Sequence, residues 1–318
     1  MPEFTWYLIV AERRLRVGEG KPLEGIVAAM VTPFNDDESL NESGLRMIVR
    51  FLVERGVQGL FPAGSQGEFY ALTADERRRI LDITLEAAEN RVFVMAHVGA
   101  VTTREAVALA RQAEAAGADA VSAITPFFIV PSQDELYRHY MDLTAAVSLP
   151  VLGYNNPART GVNLLPATAA RLARDAPDFA GVKDSGGDLT QFAEYIRLCP
   201  PDFRAFMGRD SLIFAGLAHG AAGAVAASAN VVPELVVSIY DAAWARDFSR
   251  ARELQRLLSP LRLAFDLGTF PVVVKEAMQV IGLPAGPTRG PVGVLGYKAR
   301  EKLREVLEQV GAIGWGGN

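Results

Sequence analysis

The feature that most restricts this chain is a repeat, in which a short apolar run is followed by a stretch with helical spacing. The runs fall at residues 25–32, 59–62, 92–97, 120–124, 151–154, 180–183, 204–207 and 223–227. They are nearly continuous in apolar residues, as strands covered on both faces of a parallel sheet are, and do not alternate like half-exposed strands. Helical patterns follow at 45–55, from Thr73 (with Glu76 three residues on, a capping-box spacing), and at 103–116, 135–146, 166–174, 189–198 and 211–219. The period of roughly 20–35 residues is that of one βα unit. Eight such units close most simply into an α/β fold of the (β/α)8 barrel type, with an open doubly wound sheet as the alternative.

The repeat occupies residues 23–231. Strand signals then stop, and helical spacing at 235–245, 248–263 (with Pro260 inside), 273–281 and 298–310 makes residues 232–318 a helical C-terminal extension. Residues 1–22 read as an appendage outside the fold. Their apolar stretch at 4–11 is short, follows an acidic residue and runs into Glu12-Arg13-Arg14, a poor signal peptide. No apolar run approaches the roughly 18 residues a membrane span needs. A formal charge of −5 and a pI near 5.4 argue against nucleic-acid and anionic-membrane partners. The lone Cys199 excludes an internal disulfide and fits a reducing cytoplasm. His97, His139 and His219 lack metal-ligand spacing, and no dinucleotide or phosphate-loop fingerprint stands in the chain.

In a barrel, catalytic groups gather at the C-terminal ends of the strands. The sixth run ends on Lys183, ahead of Asp184-Ser185-Gly186-Gly187. Arginine carries nearly all the other cationic positions: between Lys21 and Lys275, Lys183 is the only lysine. An arginine stays protonated, whereas a desolvated amine can lose its proton and attack a carbonyl. A buried ammonium paired with Asp184 is the plainer alternative on this stretch alone. The other strand ends supply Gly64-Ser65-Gln66-Gly67-Glu68, then Phe127-Phe128, then Tyr154-Asn155-Asn156-Pro157-Ala158-Arg159, and lastly Gly208-Arg209-Asp210.

Four motifs in this order resemble the dihydrodipicolinate synthase/N-acetylneuraminate lyase family of class I aldolases, over about residues 23–310. They are the Gly64–Glu68 loop, Tyr154 to Gly161, Gly181-Val182-Lys183-Asp184, and Gly223 to Asn230. The resemblance implies a Schiff base between Lys183 and the C2 carbonyl of pyruvate or a related 2-oxo acid, with no cofactor. It implies that Tyr154 shuttles protons, with Ser65 in its relay, and that the Ser65 and Gln66 N–H groups hold the substrate carboxylate beside Gly64. The Val225 carbonyl would lie near the lysine, and Arg159 would bind the carboxylate of an aldehyde substrate. Glu68 reads as a structural hydrogen-bonding residue. A homotetramer is implied as well; the apolar 127–130 loop is either an interface knob or a cap on its own barrel.

The synthases of this family usually carry Gly-Thr-Thr-Gly-Glu in the loop and a tyrosine that reaches across a dimer interface. Here the loop has Ser65 and Gln66, and the tyrosine position is Phe128, which has no hydroxyl. The Gly-Ser-x-Gly-Glu-Phe loop at 64–69 and the run from Lys183 to Asp188 look more like the 4-hydroxy-2-oxoglutarate aldolase branch, although Arg159 is not typical of it. The leading expectation is therefore reversible cleavage of a 4-hydroxy-2-oxo acid or a 2-keto-3-deoxy sugar acid. The alternatives are dihydrodipicolinate (4-hydroxy-tetrahydrodipicolinate) synthase, a sugar-acid dehydratase, and a binding barrel without turnover. Retention of both Lys183 and Tyr154 counts against the last.

Overall fold

Eight parallel strands close on themselves in the computed structural model, which describes residues 15–313. They are β3 (Gly25–Ala29), β4 (Gly59–Phe61), β5 (Phe93–His97), β6 (Ala120–Ile124), β7 (Val151–Asn155), β8 (Phe179–Asp184), β9 (Arg204–Met207) and β10 (Gly223–Ala226). Each pairs with its neighbours in sequence, and β10 pairs back onto β3, so no sheet edge is left open. The (β/α)8 barrel is thus the fold, and the open-sheet alternative falls away. The helices α1 (Glu42–Glu54), α2 (Ala74–Ala88), α3 (Thr103–Ala116), α4 (Gln133–Thr144), the short α5 (Pro157–Thr160), α6 (Pro166–Asp175), α7 (Leu189–Leu198) and α8 (Ile213–Ala218) connect successive strands. The helix expected from residue 45 begins at Glu42 because the Asn41 side chain accepts the Gly44 N–H, a cap that the apolar spacing does not reveal. The Thr73–Glu76 capping box forms as read.

The strand pleat sorts side chains into two cores. Ile26 and Ala28 face the helices, while Val27 and Ala29 join Phe61, Phe93, Met95, Leu152 and Phe206 inside the barrel. The apolar run continues to residue 32, but β3 ends at Ala29; beyond it the Val31 N–H donates to Asn230 Oδ1 at 3.3 Å. Of the appendage, residues 15–22 form a hairpin of β1 (Arg16–Val17) and β2 (Lys21–Pro22), and Val17 packs into the inner core. Residues 1–14, with their apolar stretch, lie outside the described residues. After β10, α9 (Pro233–Trp244) packs on β3 and α8. Beyond it α10 (Phe248–Ala264), α11 (Val272–Val280) and α12 (Tyr297–Gln309) pack on the barrel and on one another. Among the described residues no helix is long and apolar enough to cross a membrane.

Candidate active site

Adjacent strands bring the reactive side chains together. Tyr154 on β7, Lys183 on β8 and Phe206 on β9 stand in one register row, so all three point the same way, into the barrel. Lys183 is 4% exposed and Tyr154 3%. The Lys183 ammonium sits 3.9 Å from the centre of the Tyr154 ring and 4.6 Å from that of Phe61. Asp184, the next residue, points to the other face of the strand, where Asn155 Nδ2 donates to it at 2.7 Å and the Gly186 N–H at 3.3 Å. The plainer alternative, a Lys183–Asp184 pair, is therefore not formed. The pleat separates the two, and among the described residues no carboxylate lies in ion-pair contact with Lys183.

That environment tunes both groups. Burial pushes the Lys183 ammonium below the ordinary lysine value, while Tyr154 and then Asp210 pull the other way without offsetting it. For Tyr154, burial pushes the phenol up, but the Lys183 charge and hydrogen bonds with Ser65, Asn156 and Ser185 outweigh it and leave it below its ordinary value. Ser65 Oγ lies 3.2 Å from the Tyr154 hydroxyl, and Asn156 Nδ2 donates to the same oxygen at 3.1 Å. A desolvated amine thus faces a phenol whose ionisation that amine's charge favours, with a serine hydroxyl placed to carry the proton onward.

The glycines of the loop after β4 are dictated by crowding. A Cβ on Gly64 would stand 2.5 Å from the Phe61 ring, and one on Gly67 would stand 3.0 Å from the Met30 carbonyl oxygen. Between them, the Ser65 and Gln66 N–H groups have no acceptor among the described residues, and both residues line the main cavity. Two free N–H groups at a tight turn are suited to a carboxylate.

That cavity, about 530 Å³, opens at the C-terminal end of the barrel and joins Lys183, Tyr154, Ser65, Gln66, Arg159 and Val225. Gly64 supports the loop from behind and does not line it. Arg159 lies at the mouth with its guanidinium 4.0 Å from the centre of the Phe270 ring, which the C-terminal extension supplies. Asn156, Ser185, Arg209 and Arg262 also line the cavity and were given no role from the sequence. The first three stand in strand-end motifs and were findable. Arg262 sits on α10, and nothing in its spacing says that the helix leans over the barrel mouth.

Phe128 lies apart from the cavity and is 94% exposed, with Ile129 and Val130 exposed beside it. His97 packs beneath the site, its ring centre 6.2 Å from that of Tyr154. Desolvation, and then the charge of Arg77, hold it well below the ordinary histidine value, so it stays neutral.

A buried, desolvated amine beside a phenol at the open end of a (β/α)8 barrel marks an aldolase-type carbon–carbon lyase. The chain belongs to the dihydrodipicolinate synthetase family, which it matches over residues 22–310. It is 40% identical to a 4-hydroxy-tetrahydrodipicolinate synthase of Methanopyrus kandleri over 94% of this chain and 100% of that one. Among solved structures, a dihydrodipicolinate synthase from Thermotoga maritima superposes with a TM-score of 0.89 at 33% identity, over 91% of this chain and 99% of that one. A prophage protein of the same family from Escherichia coli K12, solved in complex with pyruvate, gives 0.88 at 31% identity over 91% and 99%. The family expected from the four motifs is thereby established, while these relatives lend no support to the 4-hydroxy-2-oxoglutarate aldolase branch.

Proposed function

We propose that the protein condenses pyruvate with aspartate 4-semialdehyde, the reaction of a 4-hydroxy-tetrahydrodipicolinate synthase, through a Schiff base on Lys183. This reverses the order in which the sequence ranked its readings, because the relatives carry the synthase name over their whole length. The observation that carries it is one cavity holding both a buried lysine without a carboxylate partner and, at its mouth, a guanidinium, Arg159. The first suits a carbonyl donor and the second an acceptor that bears its own carboxylate.

On this reading the pyruvate carboxylate rests on the Ser65 and Gln66 N–H groups. The neutral Lys183 amine adds to C2, the C2 oxygen takes up protons by way of Tyr154, and it leaves as water. The resulting iminium is the electron sink, so no cofactor is called on. Loss of a C3 proton gives the enamine, whose C3 bonds to the aldehyde carbon while the aldehyde oxygen is protonated. The amino group of the semialdehyde then adds to C2 and expels the Lys183 amine, which closes the ring. Per turnover one water is lost and one C–C and one C=N bond are kept. Tyr154 and Ser65 move the protons within a single chain, so a hydroxyl at position 128 is not needed for that leg.

The absence of that hydroxyl favours a second reading, cleavage of a 4-hydroxy-2-oxo acid to pyruvate and an aldehyde. Borohydride reduction with pyruvate, followed by peptide mapping, tests the donor: an adduct on Lys183 is expected. Consumption of pyruvate only when aspartate 4-semialdehyde is present then supports the synthase. Release of pyruvate from 4-hydroxy-2-oxo acids, with no turnover of the semialdehyde, selects the second reading. We also infer that a second copy covers the exposed Phe128, Ile129 and Val130 edge in a homotetramer. Light scattering should show Phe128→Asp shifting to a smaller species, and an unchanged mass would refute the placement of the interface.

A further inference from the structure

We propose that the buried ion pair between Lys275 and Glu68 is a positioning device, through which the C-terminal extension holds the Ser65–Gln66 loop in register with Lys183. It rests on the reading that this loop binds the pyruvate carboxylate.

Glu68 ends the loop in a left-handed conformation (φ 60°), two residues after Gln66, and is 0% exposed. Lys275 of α11 is 1% exposed, and its ammonium lies 2.6 Å from Glu68 Oε1. The same ammonium donates to the Pro287 carbonyl, also 2.6 Å away. The second Glu68 oxygen accepts the Arg289 backbone N–H at 3.0 Å. The Arg289 guanidinium then donates to the carbonyls of Ala71 (2.8 Å) and Glu38 (2.7 Å) and to Glu76 of α2. Residues 275–289 therefore grip both ends of the segment that runs from the carboxylate loop to the first turn of α2. On the barrel side, Thr32 Oγ1 donates to the Gly67 carbonyl at 2.7 Å.

Stability alone does not account for this arrangement. Burial pushes the Lys275 ammonium down to about 8 against the pull of Glu68, so the pair is strongly desolvated. A well-packed apolar pair of the same volume commonly serves stability as well or better. What charges add is a fixed distance and direction, and these bear on the two N–H groups just upstream. The groups they orient are the donors that hold the pyruvate carboxylate, so their misplacement weakens pyruvate binding.

The test is steady-state kinetics on the full chain, with pyruvate and aldehyde varied separately, beside thermal melting and borohydride trapping. Lys275→Met should raise the pyruvate KM about tenfold or more, while the aldehyde KM and the turnover at saturating pyruvate stay within about twofold. Because that variant leaves a buried charge unpaired, the double variant Glu68→Gln with Lys275→Met is the control for folding. It should recover the melting temperature and keep the raised pyruvate KM. Recovery of both together would show a merely structural pair and overturn the inference, as would a pyruvate KM within twofold of wild type in every variant that folds. Wild-type protein that traps no pyruvate on Lys183 would sink the reading of the loop itself. Normal wild-type trapping with unmoved variants sinks only the role of the pair.

Discussion

Tyr154→Phe separates chemistry from packing, because it keeps the ring and removes one oxygen. The ring contacts remain: the Lys183 ammonium at 3.9 Å and the Phe61 and His97 rings at 6.2 Å each. What is lost is the 3.2 Å contact with Ser65 and the 3.1 Å donation from Asn156, together with the lesser contribution of Ser185. A hydrogen bond contributes about 1 kcal/mol net, and both partners line the open cavity, where water can take the place of the phenol. The expected loss of stability is therefore about 1–2 kcal/mol, a drop of a few degrees in Tm. Removal of a proton-transfer group should lower turnover on the order of 10²–10⁴-fold. At 1.36 kcal/mol per tenfold that adds roughly 3–5 kcal/mol to the barrier. The assay is aldehyde-dependent consumption of pyruvate with both substrates saturating, alongside melting curves and a time course of the trapped adduct. The adduct should form more slowly but still on Lys183, since the nucleophile is intact. A kcat within threefold of wild type, or a rate loss no larger than the loss of folded protein, would refute the role assigned to the phenol.

Two further predictions follow from the same geometry. Activity should rise with pH as the Lys183 amine loses its proton, at a pH below the ordinary lysine value of 10.5, since the neutral form attacks and burial favours it. An initial-rate pH profile checks this, and a rising limb at or above 10.5 would contradict the desolvated site. Arg159→Ala should raise the KM for the aldehyde roughly 10–100-fold and leave pyruvate trapping on Lys183 intact, because the side chain stands at the mouth beside Phe270. Separate titrations of the two substrates decide it, and equal losses for both would place Arg159 outside the acceptor site.

The barrel was legible because its determinants are local. An apolar run long enough for one strand and a stretch of helical spacing recur in every unit, and eight units close most simply into a barrel, as β10 does onto β3. The cluster at the strand ends was legible for the same reason: a parallel barrel carries the end of every strand to one face, so Ser65, Tyr154 and Lys183 had to meet. The contribution of the extension was not legible. Arg262 and Phe270 reach the cavity through helix packing between segments far apart in sequence, and helical spacing states which face is apolar without stating what it covers.

The two lysines that bracket this problem show where sequence reasoning stops. The scarcity of lysine that draws attention to Lys183 applies equally to Lys275, and both are buried. Their surroundings differ in one respect. Lys275 meets the Glu68 carboxylate at 2.6 Å, while Lys183 meets the faces of Tyr154 and Phe61 and no carboxylate among the described residues. Burial lowers both ammoniums, so their roles are set by what holds them and by access: Lys275 is held between Glu68 and the Pro287 carbonyl, while Lys183 opens on the cavity, where a carbonyl can reach it. The neighbours in sequence mislead in both cases. Asp184 adjoins Lys183 and is turned away by the pleat, whereas Glu68 lies most of the chain away from Lys275 and is its true partner. Which lysine reacts is thus decided by long-range placement, of the carboxylates and of the cavity alike. The two roles should part experimentally, with borohydride trapping marking Lys183 alone.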